Sequence, residues 1–446
     1  MKAYSEYKDS GLQWIGKVPK HWVVSRLKYF CEPLKSGGTP KSDDSRFYAA
    51  EGIPWVAIAD MSSTPLVIDT AKHLTEEGIA DKNLNIFPSG TILYSIYATL
   101  GKVSELAVPA CINQAILAIN PDKRYCKTYF KYCLTAQEQY VYSLSNGNTQ
   151  NNLNAEKVAN FFMVLPTLPE QQAIASFLDA KTKPIDNIIA KREKQIELLE
   201  EIKSAIISRA VTKGLNPDAK MKDSGIEWIK TEPQSWETRR IKNVITLLTD
   251  YDANGSFADI AKNVKVNVGE PYAWMVRATD LANKRYGIVD DNNYCNKETF
   301  DFLSKSSLEA GDILIAKRGD IGKSYEVPKC DCPMTLAPNT YLLKTNKQVI
   351  NNRFFHYFFM SDYGKKQLSI NNKSTTIGAI YKEDVKNLKI LLPPMDEQQA
   401  IASYLDSETS KIDSRIAKRR KQIELLQEYK QALITAAVTG KIDVRE

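Results

Sequence analysis

One long segment occurs twice in this chain, and that duplication constrains the fold more than any other feature. Residues 170–213 begin Glu170-Gln171-Gln172-Ala173-Ile174-Ala175-Ser176, and residues 397–440 begin Glu397-Gln398-Gln399-Ala400-Ile401-Ala402-Ser403; at a constant offset the copies match at 29 of 44 positions. A shorter element also returns: Lys8-Asp9-Ser10-Gly11-Leu12-Gln13-Trp14-Ile15 reappears as Lys222-Asp223-Ser224-Gly225-Ile226-Glu227-Trp228-Ile229. The chain therefore reads as two half-molecules in tandem. Each is a variable globular head followed by a nearly constant helical piece. A repeated frame with dissimilar heads suits recognition of two different things.

The copies themselves read as helices. From Thr182 to Thr212 there is no glycine and only one proline, Pro184, so a helix capped by Thr182 and stopped by Gly214 is predicted. About 30 residues at 1.5 Å rise would span roughly 45 Å. Ile185, Ile189, Arg192, Ile196, Leu199, Lys203, Ile206 and Ala210 alternate steps of four and three, as do Ile412, Ile416, Arg419, Ile423, Leu426, Lys430, Leu433 and Ala437. That heptad spacing predicts a coiled-coil seam. Antiparallel pairing of the copies, with a pseudo-twofold axis, is the favoured arrangement. Parallel pairing, or each helix packing on its own head, are the alternatives. The basic seam residues Arg192, Arg419, Lys203 and Lys430 disfavour a dry core, so acidic partners or an exposed groove are expected. Short helices over Glu170–Leu178 and Glu397–Leu405 are expected just before, after the entry turns Leu165-Pro166 and Leu392-Pro393-Pro394.

The division that follows is a first head at 1–165, a first spacer at 166–217, a second head at 218–392 and a second spacer at 393–446. The heads share a skeleton: Trp55-Val56-Ala57-Ile58-Ala59-Asp60 resembles Trp274-Met275-Val276-Arg277-Ala278-Thr279-Asp280, and Gly90-Thr91-Ile92-Leu93 resembles Gly311-Asp312-Ile313-Leu314. Strands are expected at Thr91–Ile96, Ile112–Ile119 and Ile313–Ala316, and helices at Tyr129–Leu144 and Phe354–Leu368. Each head is thus mixed α/β (α+β). With 446 residues, 43% hydrophobic and 9% aromatic, the chain is an ordinary globular protein of two to three domains. It has no run of about 18 apolar residues, so no membrane span is expected. No secretory signal is visible, and seven scattered cysteines fit a reducing cytoplasm. The net charge of +7 permits a nucleic-acid partner without demanding one.

Three surfaces could read DNA. In the first head they are the Lys35-Ser36-Gly37-Gly38-Thr39-Pro40-Lys41 turn, Tyr97 with Lys102, and the polar loop holding Asn148, Thr149 and Gln150. In the second they are Arg277, the basic turn Lys317-Arg318 with Lys323, and the loop Lys373-Ser374-Thr375-Thr376. Asn, Gln and Arg can grip base edges in pairs of hydrogen bonds, while Lys, Ser, Thr and backbone amides serve phosphates. Solvated loops are the plain alternative. Catalytic motifs fail inspection. Gly319-Asp320-Ile321-Gly322-Lys323-Ser324 has two residues between its glycines where a phosphate loop needs four. Cys330-Asp331-Cys332 lacks zinc spacing, Pro217-Asp218-Ala219-Lys220 lacks the strand context of a nuclease, and His21, His73 and His356 have no triad context. No metal site and no catalytic residue is expected.

Two variable heads, each followed by Leu-Pro, Glu-Gln-Gln-x-Ile-Ala and a Gln-Ile-Glu-Leu-Leu helix, resemble the specificity subunit of type I restriction-modification systems. Lys-Asp-Ser-Gly-x-x-Trp-Ile with a following Trp22 or Trp236, and the Gly-Gly-Thr-Pro turn, match too; Asp250-Tyr251-Asp252-Ala253-Asn254-Gly255-Ser256-Phe257 looks like a variant head. The resemblance covers essentially the whole chain. It implies two target-recognition domains held apart by the coiled coil, each reading one half of an asymmetric bipartite site in double-stranded DNA. It implies assembly with two methyltransferase (modification) subunits and with restriction or motor subunits. S-adenosylmethionine, ATP and Mg would be used by those partners and none held by this chain. A duplicated nuclease and a coiled-coil protein-binding adaptor are the rival readings.

Overall fold

The repeated octapeptide folds identically in both places. Asp9 accepts from the Gly11 amide and Asp223 from the Gly225 amide. Both glycines have positive φ (+73° and +63°), a region costly for any residue with a Cβ. Each turn closes a two-stranded antiparallel ribbon, Tyr7–Asp9 with Lys17–Pro19 and Met221–Asp223 with Thr231–Pro233. Just beyond each ribbon a tryptophan, Trp22 or Trp236, is completely buried. The computed structural model describes residues 3–62, 65–138, 140–141, 153–288, 293–318, 323–370 and 380–445.

The first head contains β1 (Lys35–Ser36), β2 (Ile53–Val56), β3 (Ile92–Ser95), β4 (Val103–Leu106), β5 (Cys111–Ile112) and β6 (Ile116–Ile119). Its main sheet runs β1-β6-β3-β4 antiparallel, with Leu66–Val67 parallel at the β4 edge. In a second sheet β2 runs parallel to β5 and antiparallel to His73–Leu74. Helices α1 (Lys127–Ala136) and α2 (Ala155–Ala159) follow, and Phe162–Leu165 pairs back onto Val23–Arg26 to close the head. Then comes α3 (Leu168–Lys213).

The second head repeats this plan with β7 (Ile245–Asp250), α4 (Phe257–Asn263), β8 (Ala273–Val276), β9 (Ile313–Ala316), β10 (Ser324–Glu326), β11 (Met334–Leu336) and β12 (Thr340–Thr345). The main sheet is β7-β12-β9-β10, all antiparallel, and β8 runs parallel to β11. Both β3 and β9 are buried at every position, which is why their sequences, Ile-Leu-Tyr-Ser and Ile-Leu-Ile-Ala, show no alternation. After α5 (Asn352–Met360) and α6 (Lys382–Asn387), Lys389–Leu392 pairs with Glu237–Arg240, and α7 (Met395–Val438) ends the fold.

The compact units are not sequential halves. One comprises Met1–Glu193 with Arg420–Glu446, the other Lys194–Arg419, so each unit takes part of both long helices. In the first unit Leu433, Ile434, Ala437 and Val438 of α7 join a core with Trp22, Tyr129, Phe130, Ile174 and Leu178. In the second, Ile207, Ala210 and Val211 of α3 join Trp236, Phe354, Phe358, Ile401 and Leu405. The helix segments run antiparallel inside each unit. Glu170 meets Arg445 and Asp186 meets Lys430 in the first; Lys203 meets Asp413, and Gly214 lies against Glu397, in the second. The acidic partners required by Lys203 and Lys430 are therefore Asp413 at 2.7 Å and Asp186 at 2.5 Å.

Ile185, Ile412, Ile416 and Leu433 are buried, and Ile206 is half-buried. From Asn187 to Ile202 only Ile189, Arg192, Ile196 and Leu199 escape full exposure; Ile423 and Leu426 are half-buried likewise. One expectation is corrected. There is no separate short helix before Thr182 and no cap there: α3 runs unbroken for 46 residues, roughly 70 Å at 1.5 Å per residue, through Pro184. Thr182 is buried and its hydroxyl bonds Tyr132 at 3.1 Å instead. A proline forfeits one backbone hydrogen bond, and burial of Ile174, Leu178 and Ile185 on either side offsets that loss. The second copy has Lys411 at this place, and α7 is equally continuous. Two further elements divide. Ile112–Ile119 is two strands with a turn at 113–115, and Phe354–Leu368 is two helices parted at Ser361.

Candidate nucleic-acid interface

Strand register makes the two heads comparable residue by residue. Leu117 lies opposite Ser36 and Ile116 opposite Ser95. Tyr341 lies opposite Asp250 and Thr340 opposite Ala316. Ser36 is thus equivalent to Asp250, Ile96 to Lys317 and Tyr97 to Arg318. The adjoining turn is built alike, with the Ile96 amide donating to the Ala115 carbonyl and the Lys317 amide to the Asn339 carbonyl, both at 2.9 Å. Each head therefore gathers the same three pieces at one end of its main sheet.

In the first head the 113–115 turn joins two of the predicted surfaces. Gly38 donates to the Ile112 carbonyl at 3.0 Å, and the Thr39 hydroxyl donates to Gln114 Oε1. Gly37 is obligatory here: a Cβ would lie 1.7 Å from the Ile112 oxygen. Its role is packing of backbone on backbone, with Lys35 and Lys41 exposed to either side. Trp55 Nε1 clamps the turn from beneath by donating to the Gly38 carbonyl at 3.0 Å. Tyr97 is exposed and Lys102 half-buried in the β3–β4 turn, where Lys102 bonds the Ser95 hydroxyl through its amide. Gln114, exposed at the centre of the arrangement, has an amide suited to a base edge and was not among the predicted residues. Its place in an Asn-Gln-Ala turn after a two-residue strand gave no signal.

The second head carries charge at the equivalent positions. Asp250 is only 6% exposed and holds two lysines: Lys317 Nζ at 3.0 Å and Lys382 Nζ at 2.7 Å. Lys317 also pairs with Asp252 at 2.5 Å. Burial alone would raise the Asp250 carboxyl, but the hydrogen bonds from Lys382 and Lys317 outweigh it and hold the group below the usual carboxylate range. Burial likewise lowers Lys317, and the two carboxylates more than reverse that. Lys317, expected as a free basic contact, is thus an internal ion-pair residue that also lies 5.7 Å from the Tyr341 ring centre. Arg318 beside it is exposed. Lys323 sits opposite, its carbonyl accepting from the Ala316 amide. Arg277 reaches the same end, because the preceding Val276 carbonyl accepts from Ala337, but its guanidinium grips Asp280 through two bonds of 2.9 and 3.0 Å. Asn148, Thr149, Gln150, Lys373, Ser374, Thr375 and Thr376 lie outside the described residues. Among the described residues no group of three or more His, Cys, Asp or Glu side chains is arranged to hold a metal, and no helix is long and apolar enough to cross a membrane.

What each unit presents is a sheet end whose strands stand in equivalent register and carry different residue types in the two copies. That is the geometry of a recognition module, and comparison with known proteins agrees. The family model for the type I restriction modification DNA specificity domain matches residues 19–198 and again 233–425. The MjaIX specificity subunit of a type I restriction enzyme from Methanocaldococcus jannaschii is 24% identical over 99% of this chain and 98% of its own length. The MjaVIII specificity subunit from the same organism is 28% identical over 96% of this chain and 95% of that one. A chain from a structural study of complex assembly and conformational transition in a type I R-M system superposes with a TM-score of 0.62, at 16% identity, covering 95% of this chain and 99% of that chain; it supports the fold. With both halves matched and the full length spanned, this chain belongs to the family of type I restriction-modification DNA specificity subunits.

Proposed function

We propose that this specificity subunit reads an asymmetric bipartite DNA site, one half per unit, and directs methylation or restriction by catalytic partner subunits. The observation that carries the reading is the pair of equivalent turns with unlike chemistry: Ser36, Ile96 and Tyr97 in one unit, Asp250, Lys317 and Arg318 in the other. An equivalent strand register gives the heads a common frame, and unequal side chains on it give unequal half-sites. Exposed Lys35, Lys41 and Arg318 would serve phosphates and set the salt dependence of affinity, while the turn residues select bases.

The partners are two methyltransferase subunits, joined by restriction or motor subunits. A duplicated surface supports the stoichiometry. Leu198 and Ile202 on α3 are exposed apolar residues, and so are Leu425 and Tyr429 at the same repeat positions on α7. Apolar side chains off the seam, presented twice, suit two copies of one partner. In this reading the chain is non-catalytic and cytoplasmic, holds no cofactor, and leaves S-adenosylmethionine, ATP and Mg to its partners. Methylation mapping tests it. The chain is co-expressed with its methyltransferase subunit, and modified adenines are mapped across the genome. A motif of two short halves with a fixed gap is expected, and replacing residues 1–165 by another first head should change one half only. Methylation that persists unchanged without this chain defeats the reading.

A further inference from the structure

We propose that Asp252 determines specificity in the second head, accepting a hydrogen bond from the exocyclic amino group of a cytosine or adenine in that head's half-site. The inference rests on the DNA-reading role above and deepens it. Asp252 lies two residues beyond the end of β7, in the short 3-10 turn Tyr251–Asn254 that follows it. Its side chain is 64% exposed. Among the described residues only one of its carboxylate oxygens is engaged, Oδ2 with Lys317 Nζ at 2.5 Å; Oδ1 faces no protein partner.

A carboxylate at a DNA surface is ordinarily repelled by phosphates. Here the repulsion is compensated in place, because Asp250 and Asp252 share Lys317 and Lys382, and Arg318 adds a positive charge alongside. A neutralised carboxylate with a free oxygen is an acceptor without net charge. In the major groove the amino groups of cytosine and adenine are the donors on base edges, so an acceptor-only side chain discriminates against guanine and thymine, whose groove edges present acceptors. The rigidity needed for readout is present as well. Asp250 is buried and bonded to both lysines, and Tyr251 behind it is buried against Ala273, Met275 and Cys295.

The test uses the whole subunit co-expressed with its methyltransferase, with methyladenine mapping of wild-type, Asp252→Ala and Asp250→Asn chains. Replacement of residues 1–165 first assigns which half belongs to the second head. With Asp252→Ala, which removes the acceptor, one cytosine or adenine position in that half should relax, with about tenfold loss of preference for the original base, and the other half should be untouched. Which of the two bases is lost identifies the amino group. A motif that keeps every position under Asp252→Ala overturns the proposal. So does a uniform loss of methylation across all sequences that Asp250→Asn reproduces, because Asp252 would then merely position Lys317. Absence of any bipartite motif with the wild-type chain defeats the DNA-reading role itself, which the wild-type arm distinguishes.

Discussion

The same place in the two heads is stabilised by opposite means. In the first unit Ile96 is buried in the hydrophobic core, Ala155 packs against the same core and Ser36 sits at the sheet edge. In the second, Lys317, Lys382 and Asp250 stand at those positions and form an ionic cluster. An apolar contact needs only shape and volume. An ion pair at a half-buried site needs every member, because desolvation consumes much of the attraction and a leftover charge is costly. The second head therefore holds its recognition turn in a geometry specified by charge and sensitive to loss of any one partner. The first holds its turn by packing and by backbone contact at Gly37.

Removing one partner should break the symmetry most visibly. Asp250→Ala leaves Lys382 without its carboxylate and Lys317 with Asp252 alone, and a loss of about 2–4 kcal/mol in the second unit is expected, below the fully buried case because Lys382 is partly solvated. Ser36→Ala at the equivalent place should change the first unit by about 0.5 kcal/mol or less. Hydrogen exchange read separately over each unit measures both, since two units need not unfold as one. Installing the first head's residues together, Asp250→Ser with Lys317→Ile and Lys382→Ala, should recover most of the loss. If the triple variant is as unstable as Asp250→Ala, the two heads are not interchangeable solutions of one packing problem.

Acid should sharpen the comparison at the next level of magnitude. Glu170 in the first unit is pushed up by burial, but hydrogen bonds from His21 and Thr167 bring it below the ordinary glutamate value. Asp250 in the second is depressed by its lysines. A carboxyl depressed on folding adds stability that is fully present above its unfolded pKa, about 4.5 for Glu170 and 3.8 for Asp250. That stability fades as pH falls through the folded value. Both units should weaken as pH drops below about 5. Glu170→Gln should flatten the acid limb of the first unit only, and Asp250→Asn that of the second only. Cross-talk between the two limbs in hydrogen exchange would contradict the separate origins.

What the sequence revealed follows from the range over which each interaction acts. Heptad spacing and the repeat are local, so α3 and α7 and the acidic partners demanded by Lys203 and Lys430 were legible. Pro184 misplaced the helix start because a local rule was outweighed by the burial of Leu178 before it and Ile185 after it. The basic turn at Lys317 looked free because its partner Asp250 lies 67 residues away in sequence, and the second lysine on that carboxylate, Lys382, is more distant from it still. Gly37 stood in the sequence as part of a DNA-reading turn, whereas what requires glycine there is the Ile112 carbonyl pressed against it. Residue types announced a recognition surface; which of them are bound to one another required the sheet register.

The smallest expected effect concerns α4, a helix among the described residues of the second head for which the first has no counterpart after Ser36. Phe257 opens α4 and is 90% exposed, the most exposed of the large hydrophobic residues. Nothing in the stability of α4 depends on it. The helix is capped by Ser256 and Asp259, each accepting from the other's backbone amide, and is tied down where Thr299 donates to the Asn263 carbonyl. Ile260 and Val264 supply its apolar contact with the cluster around Tyr251 and Cys295. Phe257→Ala should therefore shift the unfolding free energy of the second unit by no more than about 0.5 kcal/mol. Phe355→Ala, in the core of the same unit, should cost about 3–5 kcal/mol. A loss above about 1 kcal/mol for Phe257→Ala would mean that the ring packs against the protein and that α4 is held by its tip as well as by its buried face.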